Sequence, residues 1–403
     1  MPRTVQALVA ADTSGIVRNA TIERRQNRPH DVDIEIKFCG ICHSDLHQLR
    51  AEWAIDNYFP MVAGHEIVGI VNSVGEAVTR YAVGDRVGVG CFVDSCRSCS
   101  SCKRGMEQYC GGCPEKKDGI HLTYNCKLKD YGGELTFGGY STAITVDENY
   151  VVRVPDGMEL SSAAPLLCAG VTLFSPLSHF GCNTLNGKEM KVGIQGFGGL
   201  GQMGVKLAVA MGVKSVTVLS RSAAKRKEAE ALGAQFLLTS DAAALRREAS
   251  SFDLIISTAA ATYDVNRFFD LLVVDGHYCL VGLPPNGLHV NAFKIVTNRR
   301  SLVGSLIGSM KDLQDTLIFC NAHNIQCDVV VLEASKVNVA LADLAEGKNG
   351  TKRFVIDLKS LLPETKVEED DRIDLNDWEV HKDGKVIPAS ADISSRGLKR
   401  KAA

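Results

Sequence analysis

The stretch GIQGFGGLGQMG, residues 193–204, sets Gly196, Gly198 and Gly201 directly after the apolar run KVGIQ and at the head of the helix-like text LGQMGVKLAVAMG. Without side chains, the first two glycines let a turn close and a pyrophosphate approach the backbone, while N–H groups at the start of the helix face the anion. Glycine-rich helix starts also serve packing alone, so the surrounding text decides. It reads KVGIQ, SVTVLS, FDLIIS and HYCLVGL between Lys191 and about Leu283, four apolar runs separated by helix-like stretches such as AAKRKEAEALG. Strands and helices alternating in this way predict a parallel, doubly wound Rossmann sheet with a dinucleotide at its glycine turn.

Upstream the texture changes. From Val32 to Gly84 and Asp85 the runs VDIEIKF, EIVGIVNSV and RVGVG are short, β-branched and punctuated by Gly and Asp, which predicts small strands in a barrel-like β domain. A chain of 403 residues with 45% hydrophobic content accommodates two domains. A formal net charge of −2 supplies no basic field for nucleic acid or an anionic membrane, so the expected partner is a small molecule. The opening MPRTVQALVAADTSG lacks a basic segment followed by a long apolar one, and no stretch stays apolar for the roughly 18 residues that span a bilayer. A soluble, cytoplasmic protein is expected, and its 14 cysteines are read as thiols and metal ligands rather than a disulfide framework.

The cysteines cluster. DSCRSCSSCKRGMEQYC, residues 94–110, spaces Cys96, Cys99, Cys102 and Cys110 as thiolates that can converge on one tetrahedral ion, a closed structural zinc site. Cys113 competes for the fourth place, and Cys91 is a second spare. CGICHSDLH adds Cys39, Cys42, His43 and His47, GHE adds His65 and Glu66, and PLLCAG adds Cys168. Singly, each of these is more often a buried thiol or a satisfied histidine than a ligand.

Together, in this order, they resemble the zinc-dependent medium-chain alcohol dehydrogenases. PMVAGHEIVG, LTFGGYS, AAPLLCAGVT, GFGGLGQMGVKLA and GSLIGSMKD look like the cinnamyl alcohol dehydrogenase branch, over about Val32 to Leu358. The resemblance implies a zinc- and NADP(H)-dependent oxidoreductase that passes hydride between the coenzyme and a primary alcohol or aldehyde. Cys42, His65 and Cys168 would hold a catalytic zinc, with the fourth position open to water, substrate oxygen or Glu66, and the four-cysteine loop would hold a second zinc. Ser44 would relay the proton through the coenzyme ribose to His47, while Asp45 would orient His65. His43 and Arg353 match pyrophosphate contacts and Thr172 a nicotinamide contact. The rest of the coenzyme surface would comprise Gly196, Phe197, Gly198, Gly199, Leu200, Gly201, Ser220, Arg221, Ser222, Lys225, Thr258, Gly282, Ser305, Leu306 and Ile307.

By the same likeness, a GroES-like catalytic domain of residues 1–168, rejoined by 311–363, would flank a Rossmann coenzyme domain of 169–310, with the active site in the cleft between them. Two copies would join edge to edge as a homodimer through SLVGSLIGS, a segment that reads also as a plain core strand. Tyr131 and Leu306 stand where the lignin-forming enzymes carry larger aromatics, leaving Trp53 as the pocket aromatic and a broader substrate class than cinnamaldehyde. Residues 364–403 exceed what the family needs and read as a solvated or loosely docked extension, acidic in ETKVEEDDRIDLND and basic in RGLKRKAA. Competing readings are a zinc-free quinone reductase, a silent coenzyme binder, and a nucleic-acid zinc ribbon. The intact Cys42, His65 and Cys168 set opposes the first two, and a loop poor in basic and aromatic residues opposes the third.

Coenzyme choice is read at SVTVLSRSAAKR. NAD-specific sheets carry an acid at the end of the second strand to accept from the ribose hydroxyls, whereas this chain has Ser220 followed by Arg221, Ser222 and Lys225, donors and cations suited to a 2′-phosphate.

Overall fold

The computed structural model describes residues 2–53, 55–113, 119–128, 133–368, 378–380 and 386–388. Six parallel strands, Lys191–Gln195, Ser215–Ser220, Gln235–Leu238, Phe252–Ser257, Leu272–Leu280 and Ser301–Gly304, form one sheet. Counted along the chain they lie in the order third, second, first, fourth, fifth, sixth. The order reverses beside the strand that ends at Gln195, so the glycine turn sits at the switch point where such sheets open a crevice. Both faces are covered. Leu254 and Ile256 join Val192, Ile194, Val216 and Val218 in one core, while Ile255, Leu219 and Tyr278 point the other way into another. The two edge strands have four residues each; Gln235–Leu238 is absent from the runs read above, being too short for a period to show, whereas Ser301–Gly304 lies in SLVGSLIGS.

The second sheet has seven strands. Asp31–Gly40, Ile67–Val74, Arg86–Val89, Ala143–Asp147 and Val152–Arg153 come from the early part of the chain. Two more, Val329–Glu333 and Arg353–Asp357, arrive from its far end, and the latter pairs antiparallel with the first, Val355 opposite Gly40 and Ile356 opposite Cys39. A hairpin of Arg3–Val9 with Arg18–Arg24 precedes this sheet and was not anticipated, because RNATIER leaves most of its side chains exposed. Val68, Val152, Val329 and Val355 of this sheet join Val192 and Ile194 of the first in one core, and Ile307 and Met310 pack against both that core and the one that fills the rest of the second sheet.

The start of the extension is tied down. The Asn19 amide donates to the carbonyls of Leu362, Pro363 and Thr365, and the backbone N–H of Glu368 donates to Ser335 at 2.8 Å. Further on, Trp378–Val380 pairs antiparallel with Val386–Pro388, and the remainder expected as tail lies outside the described residues. Among the described residues no single helix is long and apolar enough to cross a membrane.

Candidate active site

Cys42 caps the helix His43–Leu49, and Asp45 in its first turn accepts the Cys42 N–H at 2.9 Å. That carboxylate is fully buried and does more than cap. It also accepts from the N–H of Gly64 at 3.1 Å, His65 Nδ1 at 3.0 Å, the Tyr124 hydroxyl at 2.7 Å and the Tyr140 hydroxyl at 3.1 Å. One acid thus fixes the two chain segments that carry Cys42 and His65, and ties up one ring nitrogen of His65 so that Nε2 is left as the donor. Burial opposes charge on His65, but Asp45 and the nearby Cys91 outweigh it and hold the ring well above its usual value.

Cys42, His65, Glu66 and Cys168 each offer a ligand atom, all within 4.8 Å of one another. Two thiols, an imidazole and a carboxylate form a zinc-type donor set. The Cys42 thiol is held well below its usual value, chiefly by the hydrogen bond from Cys168, whose own thiol is raised by the same bond. Burial raises the Glu66 carboxyl to about 7, against the pull of Arg353. Glu66 Oε1 pairs with Arg353, while Glu66 Oε2 and Arg353 Nε are buried with no partner among the described residues. A cation in the set satisfies the first of these orphans, and an anion over Arg353 satisfies the second.

Arg353 leads to the glycine turn, since a Cβ on Gly199 would lie 2.8 Å from its Cδ. Gly196 has φ +90°, and a Cβ on Gly201 would sit 2.1 Å from the Gly196 carbonyl, so both positions exclude side chains. A Cβ on Gly198 would meet nothing nearer than the Gly350 carbonyl at 4.0 Å, which leaves an open cradle at the head of the helix Gly199–Ala210. Because the strands are parallel, their carboxyl ends bring Ser220, Thr258, Gly282 and Ser305 to the same edge. Thr258 donates to the Gln195 carbonyl at 2.9 Å, the N–H of Gly282 to Ser257 at 2.9 Å, and that of Ser305 to Leu280 at 2.9 Å. Ser220 Oγ accepts from the N–H of Ser222 at 3.3 Å, and Lys225 Nζ donates to the Phe197 carbonyl at 3.0 Å, which draws this cation onto the turn. Arg221 is exposed. Thr172 is buried in the first turn of Ala169–His179, its N–H donating to the Cys168 carbonyl at 2.9 Å.

The cysteine lobe closes on itself. Cys96, Cys99, Cys102 and Cys110 bring their sulfurs within 4.8 Å of one another, and the N–H groups of Cys96 and Cys99 point at Cys110 Sγ and Cys96 Sγ at 3.3 and 3.2 Å. Against the effect of burial, the amides of Ser98 and Cys99 lower the Cys96 thiol to about 6. Cys113 stands outside this group and accepts from Ser98 Oγ at 3.1 Å. Cys91, read as a spare for the lobe, lies outside its four converging sulfurs, and its thiol donates to the carbonyl of Leu167, the neighbour of Cys168, at 3.9 Å.

Residues 28–156 match the family described as Alcohol dehydrogenase GroES-like domain, and residues 199–342 match Zinc-binding dehydrogenase. The chain is 48% identical over 359 residues to NADP-dependent alcohol dehydrogenase C of Mycobacterium tuberculosis, covering 89% of this chain and 99% of that one. The chain belongs to the zinc-dependent medium-chain alcohol dehydrogenase family. A cinnamyl alcohol dehydrogenase of Sorghum bicolor superposes with a TM-score of 0.82 at 40% identity, covering 91% of this chain and 100% of that one. A Helicobacter pylori cinnamyl alcohol dehydrogenase complexed with NADP(H) superposes at 0.80 with 38% identity, covering 89% and 99%.

In this alcohol dehydrogenase, His43, Ser44 and His47 share the helix that follows Cys42, with Ser44 Oγ 3.7 Å from the Cys42 sulfur. His47 stacks on Trp53 with ring centroids 5.4 Å apart, and its Nδ1 lies 2.6 Å from Glu52, an acid the sequence reading missed although it follows the helix closely. Tyr124, stacked on His65, and Tyr140 were missed too, because a tyrosine in a β-rich run carries no mark of the acid it will meet. Leu306 is half exposed, and Tyr131 lies outside the described residues.

Proposed function

We propose that this alcohol dehydrogenase interconverts primary alcohols and aldehydes with NADP(H), using a zinc held by Cys42, His65 and Cys168 and a second held by Cys96, Cys99, Cys102 and Cys110. The observation that carries the reading is the continuity from the buried donor set through Glu66 and Arg353 to the glycine turn, which supports a metal position beside a coenzyme position. Zinc in the first set would supply Lewis acidity toward an alcohol or carbonyl oxygen. Asp45 orients His65, and Glu66 is the reserve ligand. Ser44 Oγ takes the substrate hydroxyl proton in oxidation and returns it in reduction, and His47, one turn on and partly exposed beside Glu52, exchanges it with water.

The Gly198 cradle, the amides of the following helix, His43 and Arg353 take the pyrophosphate, and Thr172 with residues 305–307 takes the nicotinamide. Ser220, Ser222, Arg221 and Lys225 take a 2′-phosphate, in keeping with relatives named for NADP. The catalytic unit is 1–168 with 311–363, and the coenzyme unit 169–310. Pairing of two copies along the open edge strand Ser301–Gly304 is supported by exposed Leu302, Phe293 and Val296 beside it.

Zinc analysis and steady-state kinetics on a panel of primary aldehydes test the reading. About two zinc ions per chain and strong NADPH preference are expected. A zinc-replete protein that reduces none of the panel overturns the reaction, and equal efficiency with NADH overturns the coenzyme assignment.

A further inference from the structure

Ile307 has φ +51°, a left-handed conformation that a β-branched residue pays for and that persists only where the surroundings hold it. It lies in the segment 305–312 and packs against both cores to which the second sheet contributes. On one side this segment is anchored to the coenzyme sheet, where Ser305 N–H donates to Leu280. On the other it enters the helix Met310–Ala322 through a reciprocal cap, Ser309 with Asp312, and Asp312 also accepts from Ser175 at 2.9 Å. Between these anchors, two amides are taken by the cysteine lobe. The Leu306 N–H donates to the Tyr109 hydroxyl at 3.3 Å, and the Met310 N–H donates to Glu107 Oε2 at 3.4 Å. Glu107 and Tyr109 form the single turn Glu107–Tyr109 that runs directly into Cys110.

The bridge from Met310 to Glu107 stands at the rim of a cavity. A cleft of about 430 Å³ separates the lobe from the start of the Met310–Ala322 helix, lined among others by Cys102, Glu107, Tyr150, Met310 and Lys311. The two hydrogen bonds from the lobe bracket the strained residue on both sides.

We propose that Tyr109 and Glu107 are positioning residues, through which the four-cysteine lobe holds residues 306–310 in the conformation that builds the nicotinamide wall of the cleft. The lobe's metal then serves the geometry of catalysis as well as the stability of the fold. This rests on the reading above that residues 305–307 line the coenzyme site.

The test uses the full zinc-loaded chain and three variants, Tyr109→Phe, the double variant Tyr109→Phe with Glu107→Ala, and Tyr109→Phe with Glu107→Gln. The first double variant is expected to raise KM for NADPH about tenfold at unchanged zinc content and melting temperature, and the Gln variant, which keeps an acceptor for Met310, to recover part of that loss. Amide hydrogen exchange at Leu306 and Met310 should quicken in step. Unchanged KM, kcat and exchange in the first double variant overturn the proposal. So does loss of zinc from it, since the two side chains then only support the lobe. A wild-type chain inactive with NADPH would sink the functional reading, whereas the exchange at residues 306–310 would still decide whether the lobe holds the segment.

Discussion

Asp45 Oδ1 lies 3.0 Å from His65 Nδ1 in a wholly buried pair, and the same carboxylate closes the Cys42 turn. Asp45→Asn is nearly isosteric, yet it turns an NH₂ toward donors that have lost their acceptor. The expected cost is about 2–3 kcal/mol in urea unfolding. Affinity at the Cys42 and His65 site should fall about 10–100-fold in chelator competition, while the four-cysteine site keeps its metal.

Ser44→Ala should leave zinc content and NADPH binding near wild type and lower kcat by about 10²-fold, because the proton loses its carrier while the electrophile stays. Wild-type turnover would assign the relay elsewhere.

Arg221→Ala should weaken NADPH by about 1–3 kcal/mol and leave NADH nearly untouched. With Lys225 drawn onto the Phe197 carbonyl, Arg221 is the exposed guanidinium nearest the strand end, so a coenzyme titration of both forms reads its share directly.

In the lobe, Cys99→Ser should shed one metal and lower the melting temperature. Cys113→Ser should do neither, since Cys113 stands apart from the four converging sulfurs and meets Ser98 instead. Metal loss from the Cys113 variant would redraw the ligand set.

Burial alone would raise the Glu148 carboxyl, but His30 and the amides of Thr79 and Arg80 outweigh it and hold the group below its usual value. A depressed carboxylate contributes stability that is fully present above the unfolded-state value of about 4.3 and lost as pH falls through the folded one. Glu148→Gln should therefore melt below wild type at pH 7, and the gap should narrow on acidification below about 4. A gap that is constant with pH would remove the charge from the explanation.

Where a feature is written in local text, the sequence reading met the structure. The four longer runs of the parallel sheet, the glycine turn and the C-x₂-C-x₂-C loop each declare themselves within a few residues, because backbone conformation and chelate spacing are short-range properties. The failures are of range. Asp45 gathers donors from Gly64, His65, Tyr124 and Tyr140, and nothing in HSDLHQL announces a hub. Cys91 sits five residues before the first lobe cysteine, yet the strand Phe92–Asp94 carries the chain away and leaves the Cys91 thiol on the Leu167 carbonyl. Spacing alone left it as a spare for that reason. The hairpin before Val32 escaped because a strand with most of its side chains in water carries little hydrophobic period.

Glu66 and Arg353 are 287 positions apart, and the strand that carries Arg353 pairs with Gly40 and Cys39. During synthesis the early sheet must therefore wait for its neighbour. At roughly 5–20 residues per second that wait is roughly 15–60 s, with Phe38, Cys39 and Gly40 unpaired on that edge and Glu66 lacking its cation. The site cannot be completed before residue 353 has been made, and a chain cut short before it would carry both converging donor sets without the arginine that joins Glu66 to the glycine turn.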